Sequence, residues 1–395
     1  MLRVLIIAGL LVGAGSGCSG TDKPVNSAKQ DKAQRKKEAL ALLKDAQASA
    51  KAGEVDAADS SYAQAFDKLN DIDILEEHVN FLIRVGKGAR ARDVAKPYYE
   101  ENSGEIKALE LYAEATLAAG YGQEALKIAE QIIALGTDEA SGVEKKGRAQ
   151  LLLGKPDEGI ELLRKATLLD ENNAGYHVSL GLALFDARKI NEAALEFRAA
   201  VKHAPNDSKS LAYLGMALRE QDETKEAEEI LQQALEADGN NGQAYFELGL
   251  LYNRQGKQAD AEQSLSKAVQ KAPNNSRFWY AYGEIYRLQQ RNDEAINAYR
   301  KAIEIDPPYS KAITKLGIVL AEKKDWDEAE RILFIGVKKE SKNPANYLAL
   351  GDLYVARKKA KEAVSYYEEY LKLAPKSDKE RGRVQDVLPG LRRRR

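Results

Sequence analysis

The chain carries three histidines, His78, His177 and His203, and a single cysteine, Cys18. Imidazoles and thiols bind metal, or form nucleophile and base pairs, when they lie within a few residues or on one shared surface. No histidine here stands at metal-ligand spacing from the cysteine or a second histidine, so no metal is expected. The 61 acidic residues are interleaved with 60 basic ones, as in Lys225-Glu226-Ala227-Glu228-Glu229. That pattern reads as solvated, ion-paired helix surface rather than catalytic carboxylates. A net charge of −1 with no basic face or stripe gives no footprint for nucleic acid. No glycine loop for phosphates, no cofactor and no small-molecule substrate is expected, and the chain reads as no enzyme. What these residues can do depends on what the rest of the chain builds.

Gly147, Gly181, Gly215, Gly249, Gly283, Gly317 and Gly351 fall at intervals of 34 residues. A fixed period of that length signals stacked units rather than one globular core. Twelve residues after each glycine stands a small side chain: Gly159, Ala193, Ala227, Ala261, Ala295, Ala329 and Ala363. Four residues further on comes a large apolar one: Leu163, Phe197, Leu231, Leu265, Tyr299, Leu333 and Tyr367. In residues 242–275, Tyr245, Leu248, Leu251 and Tyr252 make one helical face, and Gln255-Gly256-Lys257 interrupts it. Ala261, Leu265, Ala268 and Val269 make a second, which Ala272-Pro273 ends. Gly249 and Ala261 are small because two helices cross there. One hairpin cannot bury both faces, whereas a stack can.

These units resemble the tetratricopeptide repeat (TPR). Tyr245, Leu248, Gly249, Tyr252, Ala261, Leu265, Ala268 and Pro273 fit its signature in one copy. Trp279, Gly283, Tyr286, Ala295, Tyr299, Ala302 and Pro307 fit it in the next. The resemblance implies an all-α fold, a right-handed α-solenoid of about ten hairpins over 39–377. Repeats in 39–139 are degenerate and those in 140–377 strong, so lower local stability is expected in the first group. Residues 378–395 are read as a capping helix and a basic tail. Ser377 and Glu380 have capping-box spacing, and Val384, Val387, Leu388 and Leu391 form an apolar stripe. Pro389-Gly390 is expected to end that helix before Leu391.

In this family the first helix of each hairpin lines a concave groove along which partners lie. Three offsets from the glycine are expected to face it. Three before stand Val178, Ala212, Phe246 and Tyr280; one after stand Leu182, Met216, Leu250 and Glu284; four after stand Phe185, Arg219, Asn253 and Arg287. Exposed apolar surface of that extent marks a partner site. Exposure is expected above all for Phe246, Tyr280, Arg219 and Arg287, while Leu182, Met216 and Leu250 have packing against adjacent hairpins as their alternative. The lysine and asparagine set by which some members grip the charged end of a chaperone tail is missing from these offsets. The expected partner is therefore an amphipathic helix or extended segment with apolar anchors.

At the start of the chain Arg3 precedes an apolar run, Val4 to Val12, and then Gly13-Ala14-Gly15-Ser16-Gly17-Cys18. Charged, apolar and small residues in that order make an export signal, with an apolar part too short to span a membrane comfortably. The segment resembles the lipobox of bacterial lipoproteins, which implies removal of residues 1–17 and acylation of Cys18. Gly15 departs from the apolar residue usual at its position. Cleavage without lipidation and an uncleaved anchor are the alternatives. Residues 18–38 then read as the lipidated cysteine and a flexible tether. Ser19, where aspartate would favour the inner membrane, is compatible with the outer membrane by the same resemblance.

The functional expectation is a lipid-anchored adaptor at the periplasmic face of the outer membrane. It would bind protein partners of an envelope complex and support assembly of a type IV pilus, gliding-motility or secretion machine. The alternative is a cell-wall scaffold that recruits peptidoglycan enzymes or polysaccharide-export components.

Overall fold

The computed structural model describes residues 24–393, so Cys18 and the signal-like segment lie outside the described residues. Its elements are 21 helices, twenty of them in consecutive pairs. The first pairs are α1 (Pro24–Ala52) with α2 (Val55–Leu69), α3 (Ile72–Arg84) with α4 (Gly88–Glu101), and α5 (Ile106–Ala118) with α6 (Gly122–Leu135). Next come α7 (Glu139–Leu152) with α8 (Pro156–Leu169), α9 (Ala174–Asp186) with α10 (Ile190–His203), and α11 (Ser208–Glu220) with α12 (Thr224–Ala237). Then follow α13 (Gly242–Arg254) with α14 (Gln258–Lys271), and α15 (Ser276–Leu288) with α16 (Asn292–Ile305). The last pairs are α17 (Ser310–Glu322) with α18 (Trp326–Lys339) and α19 (Pro344–Ala356) with α20 (Ala360–Leu373), after which α21 (Glu380–Arg392) closes the stack.

The chain divides into two compact units, one up to Phe81 and one from Leu82 onward. In the first, α1 packs on α2, and Tyr62 is buried with its ring stacked on His78 at 5.3 Å. In the second, each hairpin packs on the next without a break, including α6 on α7 at the junction of weaker and stronger repeats.

The glycine clock is a packing requirement. A Cβ on Gly249 would lie 2.6 Å from Cγ of Leu265, and one on Gly215 would lie 2.5 Å from Cγ of Leu231. Asn173, Asp207, Asn241, Asn275 and Asn343, also on the 34-residue period, accept hydrogen bonds from the first backbone N–H groups of α9, α11, α13, α15 and α19. Tyr309 interrupts this row: α17 begins without a side-chain cap.

A third periodic position lies seven residues after each clock glycine, where the chain turns between the two helices with φ positive. Gly154 (φ 76°) and Gly256 (φ 75°) suit it, but Arg188 (63°), Gln290 (61°), Lys324 (66°) and Lys358 (58°) adopt it as well. Relief of left-handed strain, about 1–2 kcal/mol per residue, exceeds the added flexibility that glycine gives the unfolded chain, about 0.4–1 kcal/mol. Arg188→Gly, Gln290→Gly, Lys324→Gly and Lys358→Gly are each expected to stabilise by roughly 0.5–1 kcal/mol. Thermal unfolding of the single and quadruple variants checks this, and unchanged or lower midpoints would refute it.

Two expectations need correction. Residues 24–38, expected as flexible tether, are the first half of α1. After Pro24 at the helix start, the segment has no glycine or further proline and is rich in Ala, Lys, Gln and Glu, which favour helix. At the other end, Ser377 and Glu380 do not form a capping box. Oδ1 of Asp378 accepts from the Glu380 N–H at 2.9 Å, and the Glu380 carboxylate pairs instead with Arg383 at 2.6 Å. Helix α21 also runs through Pro389 to Arg392, because Leu388 and Leu391 bury themselves on the preceding hairpin and packing outweighs one lost N–H bond.

Candidate functional site

Successive first helices, such as α7 and α9, α11 and α13, or α17 and α19, pack against one another within the second unit. Their partner helices show no comparable approach among the described residues. The stack therefore curves with its first helices on the inside, and this inner face is the candidate binding surface.

Curvature decides which expected groove residues stay accessible. Phe246 is only 4% exposed and stacks on Phe278 of α15 with ring centroids 4.6 Å apart. Met216 is 5% exposed and Ala212 is buried. Arg219 is turned inward: its Nε donates to Oε2 of Glu247 at 2.9 Å and its Nη1 to Glu220 at 2.7 Å. These residues are corrected from exposed groove lining to the seam between first helices, because α11, α13 and α15 pack closely enough to cover them. Val178, Leu182, Phe185, Leu250, Asn253 and Tyr280 remain half-buried and border the face. Arg287, also half-buried, is ion-paired with Glu284 at 3.2 Å. Glu284 also accepts from the hydroxyl of Tyr299, and Lys315 lies 3.1 Å away.

The inner face changes character along its length. On α5, α7 and α9 the charges satisfy one another. Ser179 donates to Glu144 at 2.6 Å, Ser141 to Glu110 at 2.6 Å, and Arg148 to Glu114 at 2.8 Å. Burial opposes ionisation of Glu114, yet Arg148 and Lys145 hold its carboxyl below the ordinary value. On α11 to α17 three cations at one register, six residues before the clock glycines, behave differently. Lys209, Arg277 and Lys311 are exposed. Arg277 stacks its guanidinium over the Phe246 ring at 5.6 Å. Around it stand Tyr213, Tyr280 and Tyr309, with Tyr280 and Tyr309 in edge contact at 5.4 Å. Burial pushes the hydroxyls of Tyr213 and Tyr309 up, and Arg277 offsets part of that for both. The register that carries these cations was present in the sequence, at an offset the family-based reading did not include.

Further along, a cavity of about 320 Å³ opens between α17 and α19. Ile318, Ala321, Trp326, Ala349, Leu353 and Ala356 give it apolar walls, and Glu322 and Asp352 also line it. It lies beyond Arg287, the last of the groove residues expected from the sequence.

The histidines are structural in placement. His78 is buried with its Nε2 2.7 Å from Asp59, and His177 has its Nδ1 2.7 Å from Glu196 while stacking on His203. Among the described residues no group of three or more His, Cys, Asp or Glu side chains could hold a metal ion. None of the described helices is long and apolar enough to cross a membrane.

Comparison with known proteins matches residues 262–381 to the TPR domain of cytochrome c-type biogenesis protein H. Residues 144–208 and 213–276 match the tetratricopeptide repeat. No curated protein matches the chain in sequence. Among solved structures, the Cut9–Hcn1 hetero-tetramer of APC/C aligns at TM-score 0.57 and 14% identity, covering 89% of this chain and 76% of that one. The human IFIT1 dimer with PPP-AAAA aligns at TM-score 0.57 and 17% identity, covering 84% and 85%. A Pseudomonas aeruginosa pilF structure covers 56% of this chain and 98% of its own at 20% identity, but its TM-score of 0.48 supports no argument. The likenesses at 0.57 concern the fold alone. Periodic glycines, paired helices and these matches agree: the chain folds as a tetratricopeptide-repeat solenoid.

Proposed function

We propose that the protein is a non-enzymatic adaptor, anchored by a lipid on Cys18 to the periplasmic face of the outer membrane. It holds segments of partner proteins on its inner face while an envelope machine of the pilus, motility or secretion kind is assembled. The observation that carries the binding role is the apolar cavity between α17 and α19, large enough for an anchoring side chain of a partner. The lipobox-like run ending at Cys18 supports the anchor. The match of residues 262–381 to a domain named for the biogenesis of another protein supports an assembly role. Helical residues 24–38 would stand the array off the membrane by about 22 Å, at 1.5 Å per residue. The lipid confines the adaptor to one surface and raises its effective concentration towards partners there.

Two variants test this in the native host. Cys18→Ser is expected to abolish palmitate labelling and release the protein from the membrane fraction. Ala356→Trp fills the cavity from an exposed wall position, so helical content should hold while photo-crosslinking of partners from that wall falls about tenfold, the effect of some 1.4 kcal/mol. Labelling that persists without Cys18 would remove the anchor, and crosslinking untouched by Ala356→Trp would remove the cavity.

A further inference from the structure

Lys209, Gln243, Arg277 and Lys311 stand 34 residues apart, at one register of α11, α13, α15 and α17. Gln243 is occupied, donating to the buried Glu247 at 2.7 Å. The three cations are exposed, and no carboxylate among the described residues stands within ion-pair distance of them. Elsewhere on the inner face the cations are compensated: Arg148, Arg219, Arg287 and Lys315 each meet a glutamate within 3.5 Å. The contrast is local. A guanidinium held over an aromatic ring keeps its edges free to donate, and Arg277 is so held by Phe246.

Tyr309 adds a second, independent observation. At the equivalent position five other first helices carry a capping Asn or Asp. Helix α17 gives up that cap for a phenol ring packed edge-on against Tyr280. A local rule broken in one repeat, with loss of stability, marks a position kept for something other than folding. The hydroxyls of Tyr213, Tyr280 and Tyr309 make none of the hydrogen bonds seen for other tyrosines here, such as Tyr252 to Glu228 at 2.9 Å. Burial pushes all three above the usual phenol range, so they remain neutral donors at physiological pH.

We infer that the inner face of α11 to α17 is a docking site for an acidic polypeptide segment, whose Asp or Glu side chains meet Arg277, flanked by Lys209 and Lys311, beside the Tyr280 and Tyr309 rings. Charge complementarity selects the occupant. Free donors and unpaired cations require an anion, and the aromatic rings require an apolar residue next to it. Isolated carboxylates fit better than a run of phosphates, because the three cations are spaced one or two repeats apart, with the neutral Gln243 at the register between Lys209 and Arg277. The inference rests on the adaptor reading and gives it a partner chemistry.

The test uses the full-length protein, immobilised, and a random dodecapeptide phage library whose displayed peptides have no free C-terminus. Selected peptides are expected to be enriched in Asp and Glu adjacent to aromatic or aliphatic residues. Synthetic copies with blocked ends should bind about tenfold more tightly than twins carrying Asn and Gln. Arg277→Glu, at an exposed position, should keep its helical content and shift the selection towards Lys and Arg. Tyr309→Asn should raise the unfolding temperature by restoring the cap while weakening the acidic peptides. Selection without acidic enrichment, equal binding of the amide twins, binding only through a free C-terminal carboxylate, equal competition by an oligonucleotide, or indifference to Arg277→Glu would each overturn the inference. Continued photo-crosslinking of partners at the α17–α19 cavity would then leave the adaptor reading standing without it.

Discussion

Arg219→Leu is expected to lower stability by about 3–5 kcal/mol, because it strands a carboxylate that has no access to water. Glu247 is 0% exposed. One of its oxygens accepts from Arg219 at 2.9 Å and the other from Gln243 at 2.7 Å, and the Arg219 side chain is itself only 12% exposed. Burial drives the Glu247 carboxyl above its ordinary value, and Arg219 only partly restores it. An acid raised in the folded state binds its proton more tightly there than in the unfolded chain. Its contribution is therefore most favourable near or below the ordinary value of 4.5 and declines as pH rises through the folded value. Removing Arg219 widens that window, so the penalty of Arg219→Leu should be smaller at pH 5 than at pH 8. Arg219→Leu combined with Glu247→Leu should recover most of the loss, since a pair of apolar side chains needs no compensation. Urea unfolding, read alongside hydrogen exchange in α11 to α14, measures all three. A penalty that ignores pH, or a double variant as weak as the single one, would mean that Glu247 finds another partner when Arg219 is gone.

That pair shows where sequence reading stops. The clock glycines, the small residue twelve positions later and the large apolar one after it are separately periodic, so the seven hairpins from α7 to α20 can be read directly from the chain, while the three before them rest on weaker matches. Each is fixed within one hairpin, by contacts such as Gly249 with Leu265. The lining of the inner face is not. Whether Phe246 or Arg219 faces solvent depends on how closely neighbouring first helices approach, and that approach is set by side chains a full period away. Phe278 covers Phe246 and Glu247 draws Arg219 inward; neither partner lies in the same repeat as the residue it hides. The offset six residues before the glycine was equally visible in the sequence, but only the placement of Arg277 over Phe246 shows that it faces inward. The end of α21 differs for the same reason, since Leu391 is held by the hairpin beneath it and local propensity at Pro389 does not decide.

Gly351→Ala carries the other large expected effect, about 2–3 kcal/mol of destabilisation concentrated at the C-terminal end. In a free helix alanine would gain roughly 1 kcal/mol over glycine, so the sign rests wholly on packing. A Cβ at this position would stand 2.3 Å from both Cδ1 and Cε1 of Tyr367. Tyr367 is 1% exposed and cannot swing into solvent without opening a cavity. Its hydroxyl donates to Asp352 at 2.6 Å, and Asp352 also accepts from Arg383 of α21 at 2.8 and 3.1 Å. Displacing the ring therefore loosens the cap as well as the hairpin. In a repeat stack, loss of the terminal interface frays the end and leaves the middle in place. Amide exchange in Gly351→Ala should quicken in α19, α20 and α21 while α9 to α12 keep their protection. Tyr367→Ala in the same chain leaves room for the new methyl group, so the double variant should cost less than the two single losses added together. Strict additivity would show that the ring and the glycine do not press on one another, and a Gly351→Ala protein as stable as its parent would show that this crossing has slack.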